Sequence, residues 1–373
     1  MYCKKVHNMD YSDKLKTLIP LHLLEEEAVQ QIKANLEVPF LKKLVILPDC
    51  HSGYDLPVGA AALLDGYVSA SYVGVDIGCG MCTVKTPIEA GTLNEEDKKH
   101  IFRLTYKKIP VGYERRKQGL PYKKFYSASG DKELNKAVNE ILNISLGTLG
   151  GGNHFIEYGV SEKNGHLYVT IHSGSRHLGK LIADYYSRMA RFFPVDSEAG
   201  LNYWEDMTFA IEYALENRKR MLEIILKEVL ALTPREYEEA MKTFVNESHN
   251  FAEKRSDGIL HRKGATPAYK GQPGIIPANM RDGVFLTEGL GNEEYLSSSS
   301  HGAGRSMSRK KARKTISQSE FEEAMKGIVA RTGKKIIDEA PMAYKDISQV
   351  IRFQEGKVIQ VTDRLRPLIN IKG

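Results

Sequence analysis

The polar residues best suited to holding a metal or a phosphate are scattered along this 373-residue chain, each beside glycine or serine. Asp76 and Cys79 lie in DIGCG, His154 in GGGNHFIE, His172 at the start of HSGSR, and His301 in SSSSHGAGR. Glycine has no Cβ and therefore lets a backbone or a phosphate group come close. No linker and no internal repeat separates these positions, so the segments that carry them must fold together.

We therefore predict a single α+β domain over residues 1–373. Apolar periodicity predicts helices in LHLLEEEAVQQIKANLE, from Trp204 to Leu232, and in SEFEEAMKGIVART. Thr233 followed by proline predicts the start of a further helix, and we expect His249 to lie near a helix end.

Three segments are predicted as strands: KLVILPDCH, the glycine-broken YVGVDIGCGMCTVKT, and the tail VIQVTDRLRPLINIKG. A fourth segment, YGVSEKNGHLYVTIHSG, has an Asn-Gly turn at residues 164–165 between two apolar runs. This pattern predicts a β-hairpin whose second strand ends at His172.

Composition limits the classes of protein that the chain can belong to. The net charge of +6 modestly favours polyanionic partners. There is no apolar run of about 18 residues to cross a membrane, and the N-terminal segment lacks the apolar stretch of a secretory signal. Four cysteines (Cys3, Cys50, Cys79 and Cys82) are too few for a disulfide framework. We therefore expect a cytoplasmic protein with reduced thiols and no membrane partner.

One carboxylate, one thiol and several imidazoles form the ligand set of a borderline divalent ion such as Zn²⁺, Mn²⁺ or Fe²⁺. Each residue also has a structural alternative, because a buried cysteine often acts as a small hydrophobe and a histidine at a strand end often makes a core hydrogen bond. Cys79 and Cys82 form one CxxC pair without a second, which argues against a zinc knuckle. The shared glycine and serine surroundings of His154, His172 and His301 favour a site for metal or phosphate.

Two glycine-rich segments come near nucleotide-binding motifs without matching them. GSRHLGKL, at residues 174–181, approaches G-x-x-x-x-G-K-[ST] but ends in Leu181, which has no hydroxyl for Mg²⁺. LGTLGGGNHF does not match G-x-G-x-x-G with a downstream acid, so a dinucleotide fold is disfavoured.

Two basic clusters suggest a polyanionic partner. One follows His301, and the other is interleaved with the aromatic residues Tyr113, Tyr122 and Phe125. Basic residues beside aromatics suit a nucleic-acid backbone with stacked bases, although a solvated helix face explains either cluster equally well. The members are Arg305, Arg309, Lys310, Lys311, Arg313 and Lys314 in the first, and Arg115, Arg116, Lys117, Lys123 and Lys124 in the second.

A series of motifs, taken in order, makes the sequence resemble the RtcB family of RNA ligases. They are PDCHSGYDLPVGA, VGVDIGCGM, GTLGGGNHFIE, IHSGSR, HRKGATPA, GIIPANM, SSSSHGAGRSMSR, DEAPMAYKDI and INIKG, and they span residues 48–373. The resemblance implies an α+β catalytic domain of mixed sheets with flanking helices around a central two-metal cleft. It also implies ligation of 2′,3′-cyclic phosphate or 3′-phosphate RNA ends to 5′-hydroxyl ends, using GTP and two Mn²⁺ ions, in RNA repair or tRNA splicing.

The resemblance assigns roles to individual residues. It implies that His301 attacks the α-phosphorus of GTP and becomes guanylylated, a task for which a neutral imidazole is suited. The implied metal ligands are Asp76, Cys79, His154, His172 and His249. The implied nucleotide-binding residues are Asn153, His154, Phe155, Ile156, Glu157, His249, Asn250, Pro277, Ala278, Asn279, Met280, His301, Gly302, Ala303, Gly304, Tyr344 and Lys372.

Two other functions stay open at this point. One is a two-metal phosphoesterase that acts on RNA ends without ligation, but it leaves His301 and Lys372 without a task. The other is a non-catalytic RNA-binding protein, which leaves the complete set of metal ligands unexplained. The chain departs from the family pattern at Ala278-Asn279, where a Gly-Ser pair is common, and at Val284, where a serine is expected. We expect a monomer that binds GTP and RNA ends.

Overall fold

The computed structural model describes residues 13–127 and 131–373, so the predicted free thiol Cys3 lies outside the described residues. Within these ranges the helices are α1 (Glu26–Leu36), α2 (Ala70–Val73), α3 (Glu95–Lys108), α4 (Lys132–Ser145), α5 (His177–Met189), α6 (Glu198–Ile224), α7 (Pro234–Met241), α8 (Arg309–Thr315), α9 (Gln318–Ala324) and α10 (Ile347–Gln354). The strands are β1 (Leu15–Thr17), β2 (Leu41–His51), β3 (Val58–Leu64), β4 (Tyr67–Val68), β5 (Gly80–Glu89), β6 (Phe155–Ser161), β7 (His166–Ser173), β8 (Phe193–Pro194), β9 (Val245–Ser248), β10 (Asn250–Arg255), β11 (Gly258–Lys263), β12 (Ala265–Pro267), β13 (Pro273–Pro277), β14 (Val284–Gly289), β15 (Ser298–Ser300), β16 (Val329–Ala330) and β17 (Ile359–Lys372).

Most strands belong to two sheets. The five-stranded sheet has the order β1-β2-β3-β11-β10. The eight-stranded sheet has the order β13-β14-β17-β6-β7-β5-β9, with β16 beside β17. Two-stranded ribbons join β12 to β15 and β4 to β8. The predicted α+β class is confirmed, whereas the single domain over 1–373 stays a prediction.

The two-residue period of the strands separates the core from the functional face of the eight-stranded sheet. Ile156 and Ile371 are buried in an apolar cluster that includes side chains from α3 and α6. On the opposite face His172 of β7 is paired with Phe155 of β6, which is paired with Lys372 of β17. A shift of one residue in register would exchange these two sets of side chains.

Local sequence signals are largely confirmed. The Asn-Gly hairpin joins β6 to β7, and Thr233 caps α7 through a capping box with Glu236. The helix predicted from Trp204 begins earlier, at Glu198, and ends in a π-helical turn over Ile225–Val229. The predicted strand YVGVDIGCGMCTVKT is a strand only from residue 80 onward, because glycines before it have positive φ angles that a strand does not accommodate.

The prediction that His249 lies near a helix end is wrong. Helix α7 ends at Met241, and His249 lies between β9 and β10. The cause is a long-range interaction, since β9 pairs with β5 and is extended by that partner rather than by local helix propensity.

Candidate active site

A cavity of about 450 Å³ has a lining drawn from both sheets. Phe155 and Lys372 reach it from the eight-stranded sheet, Lys263 reaches it from β11, and His301 reaches it from the segment after β15. Its volume lies within the range of small-molecule sites.

Cys79, His154 and His172 form a cluster of potential metal ligands. Their ligand atoms lie within 4.8 Å of one another, and all three residues are buried. Cys79 Sγ is 3.4 Å from His154 Nε2 and 3.2 Å from His172 Nε2. Converging thiol and imidazole donors at these separations suit a borderline divalent cation.

Asp76 and His249 extend the cluster on its two sides. Asp76 Oδ2 lies 3.0 Å from His154 Nε2, and His249 Nε2 lies 3.4 Å from His172 Nε2. The structure thus brings the five residues predicted as ligands together. His249 is the link between the two sheets, because it follows β9 of one and precedes β10 of the other, and its N–H donates to the Cys79 carbonyl.

Backbone carbonyls fix the orientation of two imidazoles. His154 Nδ1 lies 3.1 Å from the Leu149 carbonyl, and His172 Nδ1 lies 3.2 Å from the Asn153 carbonyl. A carbonyl can only accept a hydrogen bond, so each Nδ1 is a donor and Nε2 is the nitrogen that faces the other candidate ligands. A cation bound between Cys79 and these rings would take the lone pair of each Nε2.

The electrostatics of the cluster favour neutral imidazoles beside an ionised carboxylate. Burial and the neighbouring histidines hold the pKa of His172 and of His249 well below the ordinary value. Burial opposes ionisation of Asp76, but hydrogen bonding to His154 outweighs it and lowers the pKa of that carboxyl. Burial, reinforced by Asp76, raises the pKa of the Cys79 thiol, so a thiolate there needs a cation beside it.

Two glycines of the sequence motifs lie so close to side chains of the site that a Cβ would not fit. A Cβ on Gly174, in HSGSR, would overlap the carboxylate of Asp76. A Cβ on Gly264, in HRKGATPA, would lie 2.9 Å from Cε1 of His301, and its φ angle of +59° also favours glycine.

His301 is held by a carboxylate that the sequence reasoning missed. Its Nδ1 lies 2.7 Å from Oδ2 of the fully buried Asp49, and its backbone N–H donates to the same oxygen. Burial opposes ionisation of Asp49, but the hydrogen bond with His301 outweighs it and lowers the pKa of Asp49. Nδ1 of the imidazole is therefore the donor to Asp49, and Nε2 is the ring nitrogen that this carboxylate leaves unengaged. The only sequence signal for Asp49 was its position in PDCH at the end of a predicted strand.

A second carboxylate that was not predicted, Glu339, lies under the cationic side of the cavity. It accepts from Lys372 Nζ at 2.5 Å and from Arg305 Nη1 at 3.2 Å, and it also binds Arg309 and the Tyr344 hydroxyl. Burial opposes its ionisation, but Lys372 and Arg309 outweigh burial and lower the pKa of Glu339 to about 2. Burial lowers the pKa of Lys372, and the carboxylate of Glu339 opposes that lowering.

The residues predicted to bind nucleotide line the cavity, with two exceptions. His154 lies in the ligand cluster, and Ile156 faces the apolar core. Among the described residues, Glu157 Oε1 and Asn370 Oδ1 are buried without a hydrogen-bond partner at the cavity wall. Burial raises the pKa of Glu157 to about 8. Buried polar atoms without partners mark a place where a polar ligand can bind.

The basic clusters divide into paired and unpaired side chains. Arg309 and Arg313 pair with Asp338, and Lys124 pairs with Glu212. The guanidinium of Arg116 donates to the Leu146 and Gly147 carbonyls and therefore stabilises the local backbone. Within the described ranges, the exposed cations without an ion pair include Lys310, Lys311, Lys314, Arg115, Lys117 and Lys123.

Comparison with known proteins gives consistent matches. The family model described as tRNA-splicing ligase RtcB matches residues 31–373. The RNA-splicing ligase RtcB of Escherichia coli K12 is 32% identical over 94% of this chain and 95% of its own length. The tRNA-splicing ligase RtcB of Methanococcus maripaludis is 29% identical over 100% of this chain and 96% of its own length.

The helices of residues 13–127 and 131–373 include none that combines the length and the apolar character needed to span a bilayer.

Proposed function

Because the chain belongs to the RtcB family of tRNA-splicing ligases, we propose that it is a GTP- and Mn²⁺-dependent RNA ligase. It joins 2′,3′-cyclic phosphate or 3′-phosphate ends to 5′-hydroxyl ends. RNA ligation follows from the family. The observation that supports the finer chemistry is the convergence of five potential metal ligands next to His301, whose ring centre lies 4.8 Å from that of His249.

His301 Nε2 is the proposed nucleophile. Its lone pair is free because Nδ1 donates to Asp49. Attack on the α-phosphorus of GTP forms an N–P bond and releases pyrophosphate. Asp49 stabilises the positive charge that the imidazole gains as it attacks.

The remaining steps transfer the activated nucleotide to RNA. Water opens a 2′,3′-cyclic phosphate to a 3′-phosphate. An oxygen of this phosphate attacks the phosphorus on His301, the N–P bond breaks, and the RNA end then carries GMP through a diphosphate linkage. The 5′-hydroxyl of the second RNA attacks the 3′-phosphorus and loses its proton, and GMP leaves.

Two Mn²⁺ ions are the proposed cofactors, held by Asp76, Cys79, His154, His172 and His249. Bound divalent cations neutralise phosphate charge and stabilise attacking and leaving oxygens. The neutral imidazoles and the ionised carboxylate of this set fit them, and the Cys79 thiol would lose its proton on binding.

The cavity wall supplies the proposed contacts to GTP. Lys372, Arg305 and Arg309 give positive charge for phosphate oxygens. The unpartnered Oδ1 of Asn370 is an acceptor for an N–H group of the guanine base, and Glu157 Oε1 becomes one when its carboxyl is ionised.

The proposed function is tested by ligating a 3′-phosphate RNA to a 5′-hydroxyl RNA and following the product by gel. We expect product only when GTP and Mn²⁺ are both present, and none with His301→Ala. His22→Ala, which removes an exposed histidine from a short turn, should ligate like the wild type. Opening of the cyclic phosphate without sealing would favour the phosphoesterase, and ligation by His301→Ala would exclude His301 as the nucleophile.

A further inference from the structure

We propose that residues 112–117, named here the Tyr113 loop, hold an RNA end by stacking its unpaired terminal base on the Tyr113 ring. The inference rests on the proposed ligase function and identifies a surface that selects single-stranded RNA ends.

Tyr113 presents its whole ring to solvent. Its exposed fraction is 105%, against 79% for Phe125 and 75% for Tyr54, the next most exposed large hydrophobic side chains in the described residues. A ring in this position contributes nothing to the core, whereas the face of an aromatic side chain can stack on any base.

The backbone beneath the ring is fixed. Gly112 N–H donates to the Gly150 carbonyl at 2.8 Å, and Val111 forms a bridge with the same residue. Arg116 then donates from Nε to the Leu146 carbonyl at 3.0 Å and from Nη2 to the Gly147 carbonyl at 2.8 Å. The loop is thus held on both sides of Tyr113, so little conformational freedom would be lost when a base stacks on it.

The Tyr113 loop adjoins the proposed metal cluster through one layer of residues. A Cβ on Gly150, the partner of Gly112, would lie 2.7 Å from His154 Nδ1. The half-buried Arg176 connects the same regions, because its Nη2 donates to the Gly112 carbonyl at 3.4 Å and its charge interacts with that of Asp76. A base stacked on Tyr113 would therefore lie at the edge of the site.

The charges of the loop favour a phosphate backbone. Arg115 and Lys117 are exposed and form no ion pair with the described residues, while Glu114 carries the one negative charge of the loop. Burial lowers the pKa of Arg176, and the nearby charge of Arg115 lowers it further. An anionic phosphate near these two guanidinium groups would relieve their repulsion.

The test measures binding by fluorescence anisotropy with labelled single-stranded RNAs in Mn²⁺ buffer. One pair of RNAs has a 3′-phosphate end and another a 5′-hydroxyl end, and each pair compares an intact terminal nucleotide with an abasic one. We expect Tyr113→Ala to raise Kd roughly 5- to 100-fold for one intact RNA. Removing the terminal base should raise the Kd of the wild type by a similar factor. Tyr113→Ala should then bind the abasic RNA no more weakly than the wild type does. Tyr113→Phe should bind like the wild type.

Phe125→Ala is the matched control, since it removes another exposed ring. Phe125 lines a surface pocket with Trp204 of α6 and is distant from the proposed metal cluster. Trp204 is about 20 Å along α6 from Arg218, and the Arg218 guanidinium donates to the Gly78 carbonyl next to Cys79. The Kd of Phe125→Ala for the intact RNAs should equal that of the wild type.

The outcomes separate this inference from the proposed function. An unchanged Kd for Tyr113→Ala, or an equal loss of affinity for intact and abasic RNA, would overturn the stacking role. The ligase proposal would stand in either case if the wild type still seals RNA. A wild type that binds no RNA end would overturn both.

Discussion

Individual side chains in the site are oriented by hydrogen bonds that the sequence does not reveal. Asp76, Cys79, His154 and His172 could be selected as candidate ligands because they lie in glycine-containing motifs, whereas His249, in NESHNF, was implied by the family resemblance. Asp49 and Glu339 could not be identified, because their partners His301 and Lys372 lie 252 and 33 positions away in the chain. A buried carboxylate is recognised as a partner only when folding has placed the cation or the imidazole beside it.

Asp49→Asn tests the orientation of His301. The amide can accept from Nδ1 only in one of its two orientations and carries no charge to stabilise an imidazolium. We expect the rate of guanylylation to fall at least about 100-fold, as for a misoriented catalytic imidazole. The measurement is a time course of radiolabelled GMP transfer to the protein, with thermal unfolding as the check on folding. A rate close to that of the wild type would mean that Asp49 does not position His301.

Secondary-structure elements set the spacing of the site, and their predictability depends on how local their signals are. The β6–β7 hairpin and the cap of α7 are encoded within a few residues and were predicted. The strands around His249 were not, because β9 is extended by pairing with β5, far away in sequence. The register of β17 with β6 and of β6 with β7 aligns Lys372, Phe155 and His172. The sequence alone does not indicate this register.

Gly80→Ala tests the spacing between β5 and β9. A Cβ at this position would collide with the Glu247 carbonyl on β9, which is backbone and cannot rotate away. We expect a loss of about 1–3 kcal/mol in the free energy of unfolding, as for other overpacked positions, and weaker Mn²⁺ binding because Cys79 and His249 move apart. Urea unfolding and metal titration measure the two effects. Gly91→Ala, where a Cβ would meet nothing within 4 Å and φ, like that of Gly80, is not positive, is the control and should leave both measurements unchanged.

Helix α6 carries a buried carboxyl that should make stability depend on pH. Tyr186 donates to Asp206 Oδ2 at 2.7 Å, and burial raises the pKa of Asp206 to about 6 from the ordinary 3.8. The folded state therefore binds a proton more tightly than the unfolded state, and stability falls as pH rises from about 4 to about 6. The loss is at most about 3 kcal/mol.

Asp206→Asn should remove this dependence. Urea unfolding from pH 4 to pH 8 would show the variant gaining stability relative to the wild type as pH rises, and a constant difference would contradict the assignment. Asp196→Asn, at an exposed position before α6, is the control and should leave the pH profile as it is.

At the scale of the whole molecule, the exposed cations near the cavity should determine how RNA binding responds to salt. Helix α8 begins at Arg309, which lines the cavity, and it carries Lys310, Lys311 and Lys314 without ion pairs in the described residues. Each phosphate contact to a single strand contributes about 0.7 to the slope of log K against log salt.

Replacing these three lysines by alanine should therefore reduce the slope by up to about 2. Binding of single-stranded RNA across a salt series measures it. Lys326→Ala, which removes an exposed lysine already paired with Glu323, should not change the slope. An unaltered slope in the triple variant would show that α8 does not contact the RNA.

The whole fold was predictable only as a class. An α+β architecture follows from the mixture of helical and strand patterns, whereas the assignment of strands to two sheets depends on pairings between distant segments. The same pairings bring Cys79, His154 and His172 within 4.8 Å of one another.

The most direct test of the proposed guanylylated intermediate is intact-protein mass spectrometry after incubation with GTP and Mn²⁺. We predict a gain of one GMP that is absent from His301→Ala, while that variant still binds Mn²⁺. No gain in the wild type with Mn²⁺ bound, or the same gain in His301→Ala, would contradict the assignment of His301 as the nucleophile.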